Sequence, residues 1–424
     1  MIFAPLFLLH FFNMYNIIYH DIYSSLYHDK AKKGRKMNKK FMDYYQLPAI
    51  LLEQIRQKTI TLFSKFGYQL VETSVFEDYE RSKSLDGQNA IKFMDADGSI
   101  IALRDEFTPK VAEIAAKRSE KVYPIKYCYF GKAFQFLQYD AGDLREFFQS
   151  GIENFHISDN IYIDLEVLIL AVESLLQLGF DNFTIDIGEV NFFKGIANDY
   201  EIDDTSSEML CKLVDKKDYI GIENFLIKKG ISEKVIDIFR SLTRLYGKKD
   251  KIDEAYNFAK NEISKCAIER LKEIYEKMTR LGYEKYISID FSMVKHLNYY
   301  TGIIFSGYLP KMGYSVLNGG RYDNLCERFG KKLYAIGFAL GVDRLVNWLI
   351  KNSNLKISLY RSAMFYHQGF FEVAVKELLN LEDETYFYSE PVDIQKAEVI
   401  AKGLKINEFY YVCEDGIKRF SVEE

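Results

Sequence analysis

Proline is scarce in this sequence, with 6 residues in 424, and internal repeats and low-complexity tracts are absent. The scarcity of proline, beside 33 Phe and 32 Tyr, disfavours disordered segments and long proline-rich linkers. Hydrophobic residues make up 48% of the chain and charged residues 28%, as in ordinary soluble globular proteins. A chain of this length can bury a large core and form two or three domains.

The five cysteines contain no CxxC pair and are scattered along the chain: Cys128, Cys211, Cys266, Cys326 and Cys413. We interpret them as reduced thiols of a cytoplasmic protein, with no zinc cluster. The six histidines offer no alternative metal site, because three lie before residue 30 and the others stand far apart in sequence. The sequence therefore predicts neither a metal site nor a cofactor.

Positive charge is not in excess, since the net charge is −5 and the pI is about 5.9. The chain as a whole therefore has no electrostatic footprint for nucleic acid, although a local basic face stays open. We expect no nucleic-acid partner.

The first 36 residues lack the features of a secretory signal, although the segment 2–19 is rich in Phe, Leu and Ile. A basic n-region is missing, His10 and Asn13 interrupt the apolar run, and no small-residue cleavage site follows. We expect residues 1–36 to be an N-terminal extension from a wrongly assigned start codon, with a membrane anchor as the alternative. Met37 then opens the first domain, and no membrane association is expected.

Apolar periodicity predicts helices and strands in the first 350 residues. Helical spacing is found at 47–66, 108–121, 161–178 and 342–350. Strand patterns are found at 68–76, 93–104, 125–134, 145–155, 183–187, 286–291, 301–308, 315–317 and 335–340. The polar stretch 138–143 predicts a hairpin turn, and Thr108 with Pro109 predicts an N-cap followed by proline at the first helical position.

Two further regions complete the organisation. Residues 191–280 have helical patterns throughout and no clear strand, which indicates a helical insertion. After residue 351, strands at 361–366, 385–388 and 408–412 alternate with helices at 371–380 and 393–403. The expected fold class is α+β: an antiparallel sheet core at 37–350 that contains the insertion, followed by a small α/β domain at 351–424.

Five segments resemble, in the same order, motifs of class II aminoacyl-tRNA synthetases of the histidyl branch. They are LRDEFT at 103–108, FFQSGIE at 147–153, LNYYTG at 297–302, NGGRYD at 318–323 and GFALGVDR at 337–344. The resemblance covers about residues 41–349 and implies a class II synthetase-like antiparallel sheet core. It also implies that residues 351–424 are a shortened anticodon-binding-like domain.

The residues of these segments predict a polar floor. On a strand, alternate side chains share a face, so Gln149, Gly151 and Glu153 point the same way. Glu106 and Thr108 are expected to do likewise where their strand ends. An amide, a hydroxyl and two carboxylates around a glycine gap can hold an ammonium group. The alternative is that each is an ordinary surface polar residue.

The resemblance implies that this floor binds L-histidine. Glu106, Thr108 and Gln149 would face the α-amino group of the ligand. Glu153 and Tyr300 would face its imidazole.

Three more residues complete the predicted ligand site. Tyr299 adds an aromatic wall beside Tyr300, with a core tyrosine as the alternative. Gly319 and Gly320 would let the backbone pass close beneath the ligand, with a tight turn at a strand end as the alternative.

Several positions depart from the synthetase pattern. Adenylation needs cations at the α-phosphate, but Gln135 and Leu137 stand where the family has an arginine and an acidic residue. Lys295 replaces another arginine and keeps its charge while losing the bidentate fork, so we retain it in the histidine site. Arg344 remains, as a vestigial phosphate contact or as a structural ion pair. We therefore expect a poor adenylating site and assign no catalytic residue.

The segments 187–195 and 231–247 resemble the ATP phosphoribosyltransferase regulatory subunit family. This resemblance implies a regulatory role in the first step of L-histidine biosynthesis. The chain would form a self-dimer and a hetero-octamer with a short-form catalytic subunit, support the activity of that subunit, and bind histidine for feedback inhibition. The alternatives are a divergent histidyl-tRNA synthetase and a stand-alone amino-acid-binding or ligating paralogue.

Overall fold

A computed structural model describes residues 42–79, 90–118, 123–135, 144–294, 299–352, 361–381 and 385–422. The chain divides into a large compact unit that contains Leu51–Trp348 and a small unit that contains Tyr44–Ile50 and the residues from Leu349 onward. Within the described ranges, no helix is long and apolar enough to cross a membrane.

The helices and strands are numbered in chain order. The helices are α1 (Leu47–Lys65), α2 (Thr108–Lys117), α3 (Ile161–Gln177), α4 (Val190–Asp199), α5 (Asp204–Asp215), α6 (Tyr219–Lys228), α7 (Glu233–Leu242), α8 (Lys249–Ala255), α9 (Glu262–Arg280), α10 (Val342–Asn352), α11 (Phe371–Asn380) and α12 (Ile394–Gly403). The strands are β1 (Gln69–Leu70), β2 (Phe76–Asp78), β3 (Lys92–Met94), β4 (Ile100–Leu103), β5 (Ile125–Phe134), β6 (Glu146–His156), β7 (Thr184–Glu189), β8 (Tyr246–Gly247), β9 (Ile287–Asp290), β10 (Ile303–Tyr308), β11 (Leu317–Arg321), β12 (Tyr334–Gly341), β13 (Ser362–Tyr366), β14 (Thr385–Phe387), β15 (Glu408–Cys413) and β16 (Gly416–Ser421).

A nine-stranded sheet forms the centre of the large unit, in the order β1-β5-β6-β12-β11-β10-β7-β9-β8. Its pairs are antiparallel except β1 with β5 and β7 with β9. The predicted hairpin is confirmed, because β5 and β6 pair from Ile125 with Phe155 to Phe134 with Glu146. The turn predicted at 138–143 lies outside the described residues. The antiparallel sheet core predicted from the sequence is confirmed.

One face of this sheet is covered by α1. The Thr59 hydroxyl lies 2.9 Å from the Ser150 hydroxyl, and the Phe63 ring packs edge-on against Phe338 with centroids 5.9 Å apart. Ser150 alternates with Gln149 and Gly151 along β6, so the pleat sends those two residues to the opposite face. The predicted polar floor therefore faces away from α1.

The helical insertion, residues 190–280, contains α4 to α9 as predicted, but the expectation of no strand was wrong. Tyr246 and Gly247 form β8, which pairs antiparallel with β9 at the edge of the large sheet. A strand of two residues is too short for a period of two to be visible in sequence.

Two boundaries near the floor also differ from the prediction. The strand predicted at 68–76 is two short strands, because β1 joins the nine-stranded sheet while β2 pairs with β4 in a separate three-stranded sheet. Thr108 is not an N-cap: it is the first residue of α2, and Phe107 precedes it in helical geometry without a side-chain cap. The helix ends at Lys117 instead of Lys121, and residues 119–122 lie outside the described ranges.

The small unit contains a four-stranded sheet in the order β14-β13-β15-β16. Alternate residues of β13 enter two clusters, Phe365 with Ala397 of α12 and Met364 with Ala374 of α11. The predicted helices and strands are confirmed, but β16 was missed. Its residues are mostly exposed and carry no apolar alternation, so the only signal was the Asp415-Gly416 pair at the hairpin turn.

Candidate functional site

A cavity of about 350 Å³ lies on the face of the large sheet opposite α1. The described residues predicted for the ligand site all line it: Glu106, Thr108, Gln149, Glu153, Tyr299, Tyr300, Gly319, Gly320 and Arg344. Lys295 lies outside the described residues. The folding of distant segments thus brings together, in one concave site, side chains that are more than 200 positions apart.

The floor of the cavity follows one row of the β-sheet register. Glu153 on β6 pairs with Gly337 on β12, which in turn pairs with Gly320 on β11. A Cβ at Gly337 would collide with the Glu153 carboxylate, and a Cβ at Gly320 would lie 2.7 Å from the Tyr300 ring. These two glycines therefore leave room for the side chains that form the site.

The glycine pair expected to run beneath the ligand lies inside β11 and is paired on both sides. The alternative of a tight turn at a strand end was therefore wrong. Both residues border the cavity, but a Cβ at Gly319 would meet Phe305 and Phe338 at 2.5 Å. The absence of a side chain at Gly319 thus serves packing between neighbouring strands.

Glu153 is the most buried acid of the cavity, with 1% of its surface exposed. Its Oε1 accepts hydrogen bonds from Thr108 at 2.6 Å and from Tyr129 at 3.4 Å, and its Oε2 accepts one from Tyr322. Burial raises the pKa of Glu153 to about 7, although these hydroxyl donors favour the ionised form. The carboxylate is thus held in a fixed orientation and can change charge near neutral pH.

Arg104 supports the loop that carries Glu106 and Thr108. Its guanidinium is 1% exposed and donates to the Thr73 carbonyl at 2.7 Å and to the Lys132 carbonyl at 2.7 Å. It also lies 3.8 Å from the centre of the Phe107 ring. Because β4 ends at Leu103, the predicted alternation of Glu106 and Thr108 along a strand was wrong, yet this anchored loop brings both to the cavity.

Three tyrosines form an aromatic wall. The Tyr299 and Tyr300 rings pack edge to face with centroids 5.0 Å apart, and Tyr299 stacks on Tyr322 at 5.9 Å. Burial raises the pKa of the Tyr300 hydroxyl, and Glu106 and Glu153 add to the rise. These phenols therefore stay protonated and can donate hydrogen bonds to a planar polar ring.

Among the described lining residues the cavity has one cation, Arg344, and Gln135 lines it as well. The Arg344 guanidinium donates to the Ser315 carbonyl at 2.6 Å and lies 5.0 Å from the Tyr314 ring centre. Gln135, at the position of the missing arginine, also lines the cavity and donates to the Asp105 carbonyl at 3.2 Å. Gln135 is neutral, so this position adds no positive charge to the cavity.

Gln149 provides an open acceptor. Its Oε1 is buried and has no hydrogen-bond donor among the described residues. A buried acceptor without a donor is costly, so a ligand that donates at this point gains affinity. This acceptor, together with the carboxylates of Glu106 and Glu153, suits an ammonium group. No set of three His, Cys, Asp or Glu side chains in the described part of the chain could hold a metal ion.

Sequence reasoning missed four residues of this arrangement: Arg104, Tyr129, Tyr322 and Gly337. Tyr322 and Gly337 stood inside the quoted motifs without a role. Tyr129 pairs with Gly151 across the β5–β6 hairpin, so the hairpin register would have placed it beside the floor. Arg104 also stood inside a quoted motif, LRDEFT, but only its burial shows that it is an internal anchor.

Comparison with known proteins gives the following relationships. Residues 41–345 match the family model described as histidyl-tRNA synthetase. Proteins named ATP phosphoribosyltransferase regulatory subunit, from Bacillus thuringiensis (strain Al Hakam) and Bacillus cereus (strain AH820), are 36% identical over 313 residues, which cover 72% of this chain and 74% of theirs.

Two solved structures share the fold. One, described as an ATP phosphoribosyltransferase regulatory subunit/histidyl-tRNA synthetase from Bacillus halodurans, has a TM-score of 0.76 at 23% identity and covers 89% of this chain and 98% of that chain. The histidyl-tRNA synthetase from Nostoc sp. PCC 7120 has a TM-score of 0.78 at 18% identity and covers 92% of this chain and 97% of that chain.

Proposed function

The chain belongs to the ATP phosphoribosyltransferase regulatory subunit family, which shares the histidyl-tRNA synthetase fold, and on this basis we propose its function. It is the regulatory subunit of ATP phosphoribosyltransferase, in the first step of L-histidine biosynthesis. Its role is non-catalytic: it supports the activity of a short-form catalytic subunit and binds histidine for feedback inhibition.

The composition of the cavity supports histidine as the ligand. Glu106, Thr108 and the open acceptor of Gln149 suit an α-ammonium group, which donates three hydrogen bonds. Glu153 and Tyr300 suit the imidazole, whose two nitrogens can donate to a carboxylate and accept from a phenol. Lys295, whose placement is not described, is retained in the site on the family resemblance alone.

The single observation that carries the non-catalytic role is Gln135 in the wall of the cavity. The site keeps acids, amides and phenols for an amino acid but has, among its described residues, one cation, Arg344. Stabilising the charge that develops on the α-phosphate is usually the largest contribution to catalysis of this kind. A site that only binds histidine does not need it.

The same proposal covers assembly and organisation. The chain forms a self-dimer and a hetero-octamer with the short-form catalytic subunit, in the cytoplasm. Residues 37–350 are the synthetase-like core, and residues 351–424 are the shortened anticodon-binding-like domain.

Co-purification with a short-form catalytic subunit tests this function. The untagged chain should elute with the tagged subunit, raise its rate of phosphoribosyl transfer from phosphoribosyl pyrophosphate to ATP, and make that rate sensitive to histidine. Histidine-dependent exchange of pyrophosphate into ATP by the chain alone, with no binding to the catalytic subunit, would instead establish the divergent synthetase.

A further inference from the structure

Tyr300 of the aromatic wall is followed by Thr301 and Gly302, and both residues contact groups outside the lining of the cavity. Directly after Tyr300, the Thr301 amide donates to the Arg321 carbonyl at 2.8 Å. The Thr301 hydroxyl accepts a hydrogen bond from the Asp323 amide at 3.0 Å. A Cβ at Gly302 would lie 2.8 Å from Cδ of Arg321, so the arginine side chain rests against this backbone. The position of Tyr300 therefore depends on where Arg321 lies.

Arg321 is held by a buried ion network that reaches the helical insertion. Its Nη2 lies 2.6 Å from Oδ1 of Asp164 on α3, which has no exposed surface. Arg270, on α9 of the insertion, donates to the other oxygen of Asp164 at 2.8 Å. Both arginines also contact Asp159, at 2.8 and 3.2 Å. Two arginines and two aspartates thus connect β11 to the last helix of the insertion.

The first helix of the insertion is attached to the same backbone segment. The Asn191 side-chain amide on α4 donates to the Thr301 carbonyl at 3.0 Å, and the Val190 amide donates to the Gly302 carbonyl at 3.2 Å. Both ends of the insertion therefore contact Thr301 or its anchor, Arg321.

These two helices are also packed closely on each other. A Cβ at Gly195 of α4 would lie 2.6 Å from the Ser264 amide of α9, and the Asn261 side chain donates to the Gly195 carbonyl at 2.7 Å. Because close-packed helices cannot shift independently, a displacement of the 299–302 segment is transmitted to α4 and α9 together.

We propose that Arg270 is a positioning residue for the ligand cavity, and that ligand binding at the cavity restrains the helical insertion through Arg321, Asp164 and Arg270. The insertion is then the part of the regulatory subunit that responds to histidine. This inference rests on the proposed histidine function. Coupling of this kind is reciprocal, so a change at Arg270 alters affinity at the cavity although it does not touch the ligand.

Hydrogen exchange with and without saturating histidine, on the whole chain, tests the proposal. Amides of α4 and α9 in the unmodified protein should exchange several-fold more slowly when histidine is bound. Arg270→Met should abolish that difference and weaken histidine binding, measured by calorimetry, by about five- to twenty-fold. The matched control is Lys277→Met on the same helix: Lys277 is also 22% exposed and ion-paired, but its ion-pair partner is Glu273, and it contacts α3 at Tyr162 instead of Asp164.

The possible results distinguish the coupling to the insertion from the proposed function. Histidine binding without slower exchange in α4 and α9 overturns the coupling while the proposed function stands. Failure of the unmodified chain to bind histidine overturns both. If Arg270→Met does not fold, Asp159→Asn replaces it, because Asp159 is 46% exposed. This variant should likewise reduce the exchange difference and weaken histidine binding. Equal effects of Arg270→Met and Lys277→Met on affinity would show a general loss of stability and refute positioning by Arg270.

Discussion

Glu153→Gln is expected to remove from the free protein a loss of stability that grows with pH, while weakening histidine binding. The pKa of Glu153 is raised by burial from its ordinary value of 4.5 to about 7 in the folded chain. The folded state therefore binds this proton more tightly than the unfolded state does. The resulting stabilisation is complete below pH 4.5 and is lost as the pH rises through 7.

The magnitude follows from the same two values. The gap between 4.5 and about 7 corresponds to on the order of 3 kcal/mol of unfolding free energy, at about 1.4 kcal/mol for each pH unit. Glutamine has nearly the same shape and does not ionise. The unfolding free energy of Glu153→Gln, minus that of the unmodified protein, should therefore increase between pH 5 and pH 8. Glu189, a second buried acid whose pKa is raised to about 7, is present in both proteins and cancels.

Chemical denaturation at pH 5, 6.5 and 8 without histidine measures this difference. Calorimetry at pH 8 should show histidine binding weakened about ten- to a hundred-fold, because a hydrogen bond to a charged group contributes about 1.5–3 kcal/mol. Glu146→Gln, at the outer end of the same strand and outside the cavity, should leave the affinity unchanged. A stability difference that stays constant from pH 5 to 8 would refute the buried, ionising Glu153.

Three further predictions concern the same cavity. The purified chain should show no histidine-dependent pyrophosphate exchange with ATP, because Gln135 supplies no charge to the α-phosphate; exchange at the rate of a working synthetase would contradict this. Gly337→Ala should lower the unfolding free energy by about 1–3 kcal/mol, since its Cβ would collide with Glu153 and with the Ile152 carbonyl; an unchanged melting temperature would exclude that crowding. Tyr300→Phe should keep assembly with the catalytic subunit and its activity, while inhibition requires a higher histidine concentration; normal inhibition with lost assembly would move Tyr300 to the interface.

Most elements of the fold and most residues of the site could be predicted from the sequence. Long periodic segments such as α3 and the β5–β6 hairpin follow from local spacing, which does not depend on distant residues. The order of the motifs along the chain identified Glu106, Gln149 and Glu153 as candidates for one ligand site. The missing arginine at Gln135 was also readable in the sequence alone, because it is a matter of residue type.

Only the tertiary structure decided how the site is held together. The hydroxyls around Glu153 come from Thr108, Tyr129 and Tyr322, on three separate segments whose meeting depends on sheet order and register. The role of Gly337 likewise required knowing which side chain occupies the space of its missing Cβ. Local patterns record which face a side chain occupies, but not what packs against that face.

The link between cavity and insertion is also a property of the tertiary structure alone. Arg321 stands in a recognisable motif, yet nothing near it in sequence indicates that Asp164 neutralises its charge or that Arg270 shares this aspartate. A buried arginine must find an acidic partner. Asp323, two residues along the same motif, supplies one, and the tertiary structure adds Asp164 of α3, which Arg270 of α9 also contacts. Sequence determined that a charged residue follows the glycines of β11, and the packing of α3 and α9 determined that it joins a network with Asp164 and Arg270.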